Sequence, residues 1–267
     1  MKHTVPFTIV YENSEFVAVN KASGIAVGGD RWDDTKERLD LLLSASLQHK
    51  VYTVHRIDRD TSGLVVFAHN AEAHKKLSAA FERRSILAAP FADDWVEPIK
   101  KRYIAVVYGR FPHGGMTCDM PLVPNGNKRH ITIIDKYQGK PSRTHFKLLT
   151  TAGNFSVLEV IPETGRTHQI RVHASALGYP IVCDPLYCRN PKPVVLSSFK
   201  RGWRGDSFEE KPLLSRLGLH AAEIILPDGT RLSAPLARDM KALITQMEKM
   251  RKERGDASRD LEPVCRY

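Results

Sequence analysis

The sequence predicts an α+β domain built on a largely antiparallel mixed sheet with flanking helices. Short runs rich in β-branched and aromatic residues recur along the chain, and only a few segments carry helical periodicity. The two kinds do not alternate in the strand–helix–strand order of a parallel sheet. No internal repeat or clean linker divides the chain, so residues 1–254 read as a single domain and 255–267 as a disordered tail.

The elements follow in order. FTIVYE (Phe7 to Glu12) and FVAVNK (Phe16 to Lys21) flank a turn-forming Asn-Ser pair, which predicts a hairpin. GIAVGGD (Gly24 to Asp30) is glycine-rich but does not lead into a helix with nucleotide-loop spacing, so it reads as a connection. Asp34 or Thr35 can cap a helix whose leucines at 39, 42, 43 and 47 share one face. HRIDRDTSG (His55 to Gly63) runs directly into LVVFA (Leu64 to Ala68), the signature of a buried strand. Asn70 is placed to cap a helix with Leu77, Ala80 and Phe81 on one side and Lys75, Lys76, Arg83 and Arg84 around the other. AAPFADDWVEP (Ala88 to Pro98) reads as a surface loop.

A strand-rich half comes next: KRYIAVVYG (Lys101 to Gly109), HITIID (His130 to Asp135), THFKLL (Thr144 to Leu149) and FSVLEVI (Phe155 to Ile161). Thr167, after the ETGR turn, can cap a short helix through His168, Ile170, Arg171, Ala174 and Leu177, which Gly178 and Pro180 end. Asn190 to Leu214, rich in Pro, Lys, Arg, Ser and Gly, reads as a flexible insertion. LHAAEIIL and PDGTRL predict a hairpin turning at Asp228-Gly229. Met240, Leu243, Ile244 and Met247 form the apolar stripe of a last helix, Ala237 to about Arg254, with a basic opposite face.

Composition narrows the class of protein. At 267 residues and 42% hydrophobic, the chain can bury a core without disulfides. Forty basic against 30 acidic residues give a net charge of +10, which favours polyanionic partners. No run of 18 apolar residues could span a bilayer, and the N-terminus lacks a signal-peptide apolar region, so a soluble, cytoplasmic protein is expected. Cys183 and Cys188 form a C-x4-C pair, while Cys118 is remote and Cys265 lies in the tail. No second close pair completes a zinc site, and no metal is expected.

The chemistry concentrates in HRIDRDTSG, where four charged side chains, an imidazole and two hydroxyls precede a core strand. Charged groups at the edge of a core sit where desolvation and neighbouring charges can shift ionisation, so Asp58 and Asp60 are both candidate carboxylates. The other reading of the same residues is a turn whose Asp, Thr and Ser side chains cap backbone groups.

HRIDRDTSG resembles the HRLDxxTSG segment of the RluA-type RNA pseudouridine synthases, with Ile57 in place of the usual Leu. KRYIAVVYG resembles that family's second motif, and GRTHQIRVHASALGYPIVCDPLY (Gly165 to Tyr187) its third. GKPSRTHFKLL (Gly139 to Leu149) follows the family pattern between them. The resemblance runs from Thr8 to about Leu236. It implies the pseudouridine synthase fold, and because the pattern starts within the first ten residues, the small N-terminal RNA-binding module of many relatives is expected to be absent. Cys183 and Cys188 stand where relatives usually have glycine, which bears on local turn geometry.

The implied activity isomerises uridines of structured RNA, ribosomal or transfer, and needs neither cofactor nor metal. The resemblance makes Asp58 the catalytic aspartate, Arg171 its cationic partner and Tyr103 the aromatic residue that packs on the target base. Arg56 corresponds to the arginine that occupies the space left when the target nucleotide leaves its stack, and His55, Thr61, Arg166 and His168 are further RNA-binding candidates. His55 and His168 suit structural hydrogen bonding better than general-base work, since the reaction already has its carboxylate. Lys192, Lys200, Arg201 and Arg204 in the insertion, and Lys249, Arg251 and Lys252 on the last helix, are candidate phosphate contacts or else a solvated basic surface. Two other functions fit part of the pattern: a uracil-releasing nucleosidase, distinguished by its product, and a non-catalytic RNA-binding protein. The latter has no need of a carboxylate facing a polyanion. The sequence specifies no protein partner, and the RNA and uridine position are not legible in it.

Overall fold

The computed structural model describes residues 5–29, 37–82, 98–125, 131–200 and 202–253, the last two without their side chains. In chain order the elements are β1 (Phe7–Glu12), β2 (Phe16–Lys21), α1 (Leu39–Leu47), β3 (Tyr52–Thr53), β4 (Ser62–Ala68), α2 (Ala71–Glu82), β5 (Lys100–Tyr108) and β6 (Met116–Asp119). There follow β7 (Leu122–Pro124), β8 (Thr132–Ile134), β9 (Arg143–Ala152), β10 (Phe155–Pro162), α3 (Gln169–Ala176), a 3-10 turn (Leu196–Ser198), β11 (Leu219–Ile225), β12 (Arg231–Ser233) and α4 (Arg238–Glu253). Two compact units divide the chain: Met1–Arg102 with His220–Pro235, and Tyr103–Leu219 with Leu236–Tyr267. All strand pairs within the units are antiparallel except β4 with β11, so the fold class is α+β, as expected.

In the first unit, Asn13 makes the β1–β2 hairpin. Its side-chain carbonyl accepts from the amides of Glu15 and Phe16, which reverses the chain, and the strands pair antiparallel with a register shift between Ile9 and Tyr11. β2 pairs with β4, and every residue of β4 is buried, which explains its continuous apolar run. Asn70 caps α2 through the amide of Ala73 at 2.9 Å, and Ala73 and Leu77 carry the helix onto a core shared with Leu64, Val66, Phe16, Ile224 and Leu232. The β11–β12 hairpin turns at Asp228-Gly229 as expected, Gly229 taking φ +85°. One glycine is compelled by packing. Gly63, at φ +111°, lies so close to β11 that a Cβ there would overlap the carbonyl oxygen of Ala221.

α1 starts at Leu39 behind Arg38, whose guanidinium grips Asp40 at 2.6 Å, and no side chain caps it. The expected caps Asp34 and Thr35 lie outside the described residues, as do Arg83, Arg84, most of the loop from 88 to 98, and the tail from 254.

In the second unit, β5, β10, β9 and β6 form a continuous antiparallel run, and β7 and β8 pair separately. Met240, Leu243, Ile244 and Met247 of α4 are fully buried, as their spacing requires. α3 corrects the sequence reading at its start. His168, in the left-handed region at φ 54°, occupies the N-cap position and exposed Thr167 does not cap the helix. The Gln169 side chain ties the turn instead, its oxygen accepting from the Arg166 amide and the Thr164 hydroxyl. The insertion is also more ordered than its composition suggests. Val194 and Leu214 are bridged and buried, Phe199 is buried against Phe155, and Glu210 accepts from the Ser197 amide and hydroxyl. Three well-spaced apolar residues anchor a stretch whose average is polar.

Candidate active site

The site residues fall in both units. In the first, the HRIDRDTSG loop is held at four points. His55 accepts a hydrogen bond at Nε2 from the amide of Val66, which ties the loop to the core strand and requires a neutral ring. The ring stacks on Phe81, its centroid 4.1 Å away. Burial, helped by the positive charge of Lys101, pushes the His55 pKa down to about 3, while burial also lowers that of Lys101. Asp58 accepts from the Thr61 amide through its backbone carbonyl at 3.1 Å, closing a turn around the candidate carboxylate. Arg59 donates from Nε to the Gly24 carbonyl.

The fourth hold was not legible in the sequence. Lys21, at the end of β2 and only 1% exposed, donates its ammonium protons to the carbonyls of Ala22, Ile25 and Arg59 at 2.8–2.9 Å. A buried ammonium supplied with oxygen acceptors is an internal clamp, and the Arg59 carbonyl is one residue from Asp58. The only sequence signal was a lysine closing a mostly apolar strand.

Among the candidates on this loop, Arg56 is exposed and Asp58 half-buried, whereas Thr61 is 1% exposed. The Thr61 side chain is therefore shielded from any ligand in this conformation, and its amide does the positioning. Asp60 contributes its carbonyl to the Ser23 hydroxyl. Ser62 extends the framework: its hydroxyl contacts His220 Nδ1 at 2.9 Å, and His220 Nε2 reaches the Ala234 carbonyl, so Nε2 carries the proton and Nδ1 accepts.

In the second unit, α3 positions Arg171, His168 and Arg166. Residues Gln169 to Ala174 are all buried, so Arg171 leaves α3 into protein. Asp184 meets it there: the pair is bidentate, from Nε at 2.8 Å and Nη2 at 2.7 Å, with side chains 3% and 0% exposed. Asp184 also accepts from the amides of Leu186 and Tyr187, so the turn and the guanidinium share one carboxylate. The Tyr187 ring lies 5.2 Å from the Arg171 guanidinium carbon. Its hydroxyl accepts from the Thr132 amide and so presents its proton to His168 Nδ1 at 2.8 Å. His168 is thus tied to Tyr187. Tyr103, on β5, packs partly buried against a cluster that includes Val160, Ile170 and Ala174.

A buried polar chain fixes α3 beneath these groups. Gln169 Nε2 donates to the Arg143 carbonyl and the Thr144 hydroxyl, Thr144 donates to His173 Nδ1, and His173 Nε2–H donates to the Met120 carbonyl. Burial lowers the His173 pKa, in keeping with a neutral ring. Cys183, next to Asp184, takes φ 57°, the left-handed conformation glycine would adopt without strain. Its thiol points at the carbonyls of Lys192 and Leu214.

Residues 15–176 match the RNA pseudouridylate synthase family. An uncharacterized RNA pseudouridine synthase of Chloroflexus aurantiacus is 38% identical over 216 residues, covering 78% of this chain and 57% of that one. Ribosomal large subunit pseudouridine synthase D of Zymomonas mobilis is 34% identical over 203 residues, covering 70% and 58%. The chain spans somewhat over half the length of these relatives. Among solved structures, human RNA pseudouridylate synthase domain containing 1 superposes with a TM-score of 0.63 at 26% identity, over 88% of this chain and 86% of that one. The motif loop before β4, the tyrosine of β5 and the arginine of α3 thus lie on a fold shared with these proteins, and the chain belongs to the RNA pseudouridylate synthase family.

Proposed function

We propose that this protein is an RNA pseudouridine synthase that isomerises uridine in structured RNA through Asp58, without a cofactor. The observation that carries the proposal is Asp58 itself: a half-buried carboxylate at the family's aspartate position, on a loop pinned by His55, Thr61 and Lys21 at the mouth of the core strand. The reaction breaks the N1–C1′ bond and joins C5 to C1′, with one proton lost from C5 and one gained at N1. Nothing is oxidised and composition is unchanged. A fixed carboxylate can attack as nucleophile or stabilise the charged intermediates and then take the C5 proton. Tyr103 offers a ring to stack on uracil and a hydroxyl for proton transfer. Arg171 is the cation that supports the carboxylate chemistry, its Nε–Nη2 edge already oriented by Asp184. Exposed Arg56 suits the space left by a flipped nucleotide. The Zymomonas relative, a ribosomal large subunit pseudouridine synthase, makes large-subunit ribosomal RNA the substrate to try first.

The test is to incubate ribosomal RNA transcripts with the protein and with Asp58→Asn, then map pseudouridine and assay free uracil. Wild type should form pseudouridine without releasing uracil. The variant should lose about 10²-fold or more in rate while binding RNA at least as well, because removing a negative charge does not weaken attraction to phosphate. A variant that modifies RNA at the normal rate, or release of uracil as product, defeats the assignment.

A further inference from the structure

We propose that the second unit carries a phosphate-binding site between the start of the loop after β5, the β9–β10 turn and the end of α4, with Arg110 and Arg251 as its cations. A recess open to solvent is lined there by Arg110, Thr151, Ala152, Gly153, Phe199, Met250 and Arg251. Among the described residues its charged lining groups are the two guanidiniums, and neither has an ion-pair partner there. Arg251 Nη1 is buried and makes no hydrogen bond among the described residues. A buried donor on a charged group without an acceptor is costly, and two like charges facing one cavity add repulsion. An oxyanion removes both costs, and a phosphate's oxygens can serve two guanidinium forks at once.

The site is built rather than incidental. The neighbours of Arg110 are pinned on both sides, the Gly109 amide to the Asn154 carbonyl at 2.7 Å and the Phe111 amide to the Ser156 hydroxyl at 2.9 Å. Gly153, at φ +59°, brings the turn so close to Phe199 that a Cβ would lie 3.0 Å from the phenylalanine Cβ. Met247 and Met250, both buried, fix the last turns of α4 and with them Arg251.

The chain's net charge of +10 favours an RNA backbone phosphate as occupant. On β5, Tyr108 pairs with Phe155 beside this turn, and Tyr103 pairs with Val160 at the other end of the ladder. Five residue steps, roughly 17 Å along the strand, separate them, and an odd offset puts the two side chains on opposite faces of the sheet. A phosphate held beside Phe199, on the Phe155 face, is remote from a base stacked on Tyr103, and a contact there adds affinity without entering the chemistry. This occupant rests on the RNA-modifying function proposed above.

The experiment uses the full chain, Arg110→Gln and Arg251→Gln, each checked by circular dichroism, with inorganic phosphate and then RNA as probes. At matched ionic strength, phosphate should raise the melting temperature of wild type over chloride, and each variant should lose that rise. For RNA, each variant should weaken binding about tenfold and flatten the logarithmic salt slope by somewhat under one unit. The loss should appear in KM, with kcat unchanged. If phosphate stabilisation is lost in the variants while RNA affinity and slope are unchanged, the RNA assignment is overturned and the occupant is a free phosphate. If neither readout changes, the site itself is overturned. Should wild type form no pseudouridine in any RNA, the proposed activity fails, and the phosphate measurement still decides the site.

Discussion

The buried Asp184–Arg171 pair gives the sharpest test of how the second unit holds its cation. Asp184 accepts four hydrogen bonds, two from Arg171 and two from the amides of Leu186 and Tyr187. Truncation to alanine would break a buried pair, at about 3–5 kcal/mol, and would also strip two amides of their acceptor at about 1 kcal/mol each. That sum approaches the whole stability of a typical domain, roughly 5–15 kcal/mol, so Asp184→Asn is the informative variant. Asparagine keeps the volume and one acceptor oxygen but loses the charge, and the cost should be about 1.5–3 kcal/mol, the worth of hydrogen bonds to charged groups. Urea unfolding of wild type, Asp184→Asn, Arg171→Gln and the double variant should give a coupling energy of at least about 1 kcal/mol with unchanged m values. Single effects that simply add, within about 0.5 kcal/mol, would refute the pair as a determinant of stability.

Two further outcomes follow from the first unit. In Gly63→Ala the new Cβ would lie 2.6 Å from the Ala221 amide nitrogen and 2.8 Å from its carbonyl carbon, at a φ that alanine disfavours. β4 and β11 must then part, and we expect a loss of about 3 kcal/mol or more in unfolding free energy; a loss under about 1 kcal/mol would show that the strands yield cheaply. The His55 pKa stands below its usual 6.5, at about 3, so its contribution to stability is complete above pH 6.5. Below that pH the unfolded chain binds the proton first, and stability falls by up to about 1.4 kcal/mol per pH unit until the folded state protonates near pH 3. His55→Gln, which retains an acceptor for Val66, should reduce this slope between pH 6.5 and 4.5. A variant and wild type with parallel pH profiles would rule out the buried neutral ring.

The sequence by itself determined the elements whose signals are local. Asn13 and Asn70 set a turn and a cap through amides two or three residues away, Asp228-Gly229 sets a hairpin, and the stripe of Met240, Leu243, Ile244 and Met247 names the buried face of α4. The consecutive residues of HRIDRDTSG offered Asp58 and Asp60 as carboxylates, and the resemblance to the family singled out Asp58. What only the tertiary structure decided are partners that depend on where the chain returns. The Arg171 carboxylate lies 13 residues on at Asp184, and Lys21 reaches the Arg59 carbonyl 38 residues away. Gln169 took the place expected of Thr167 because its side chain could reach Thr144, Arg143 and the Arg166 amide together. The insertion was misread for the same reason. Composition averages over a segment, whereas order needs only Val194, Phe199 and Leu214 to find a core. Periodicity reports which face must be buried, but a buried charge is satisfied by distant backbone and side chains that only the folded chain brings within 3 Å.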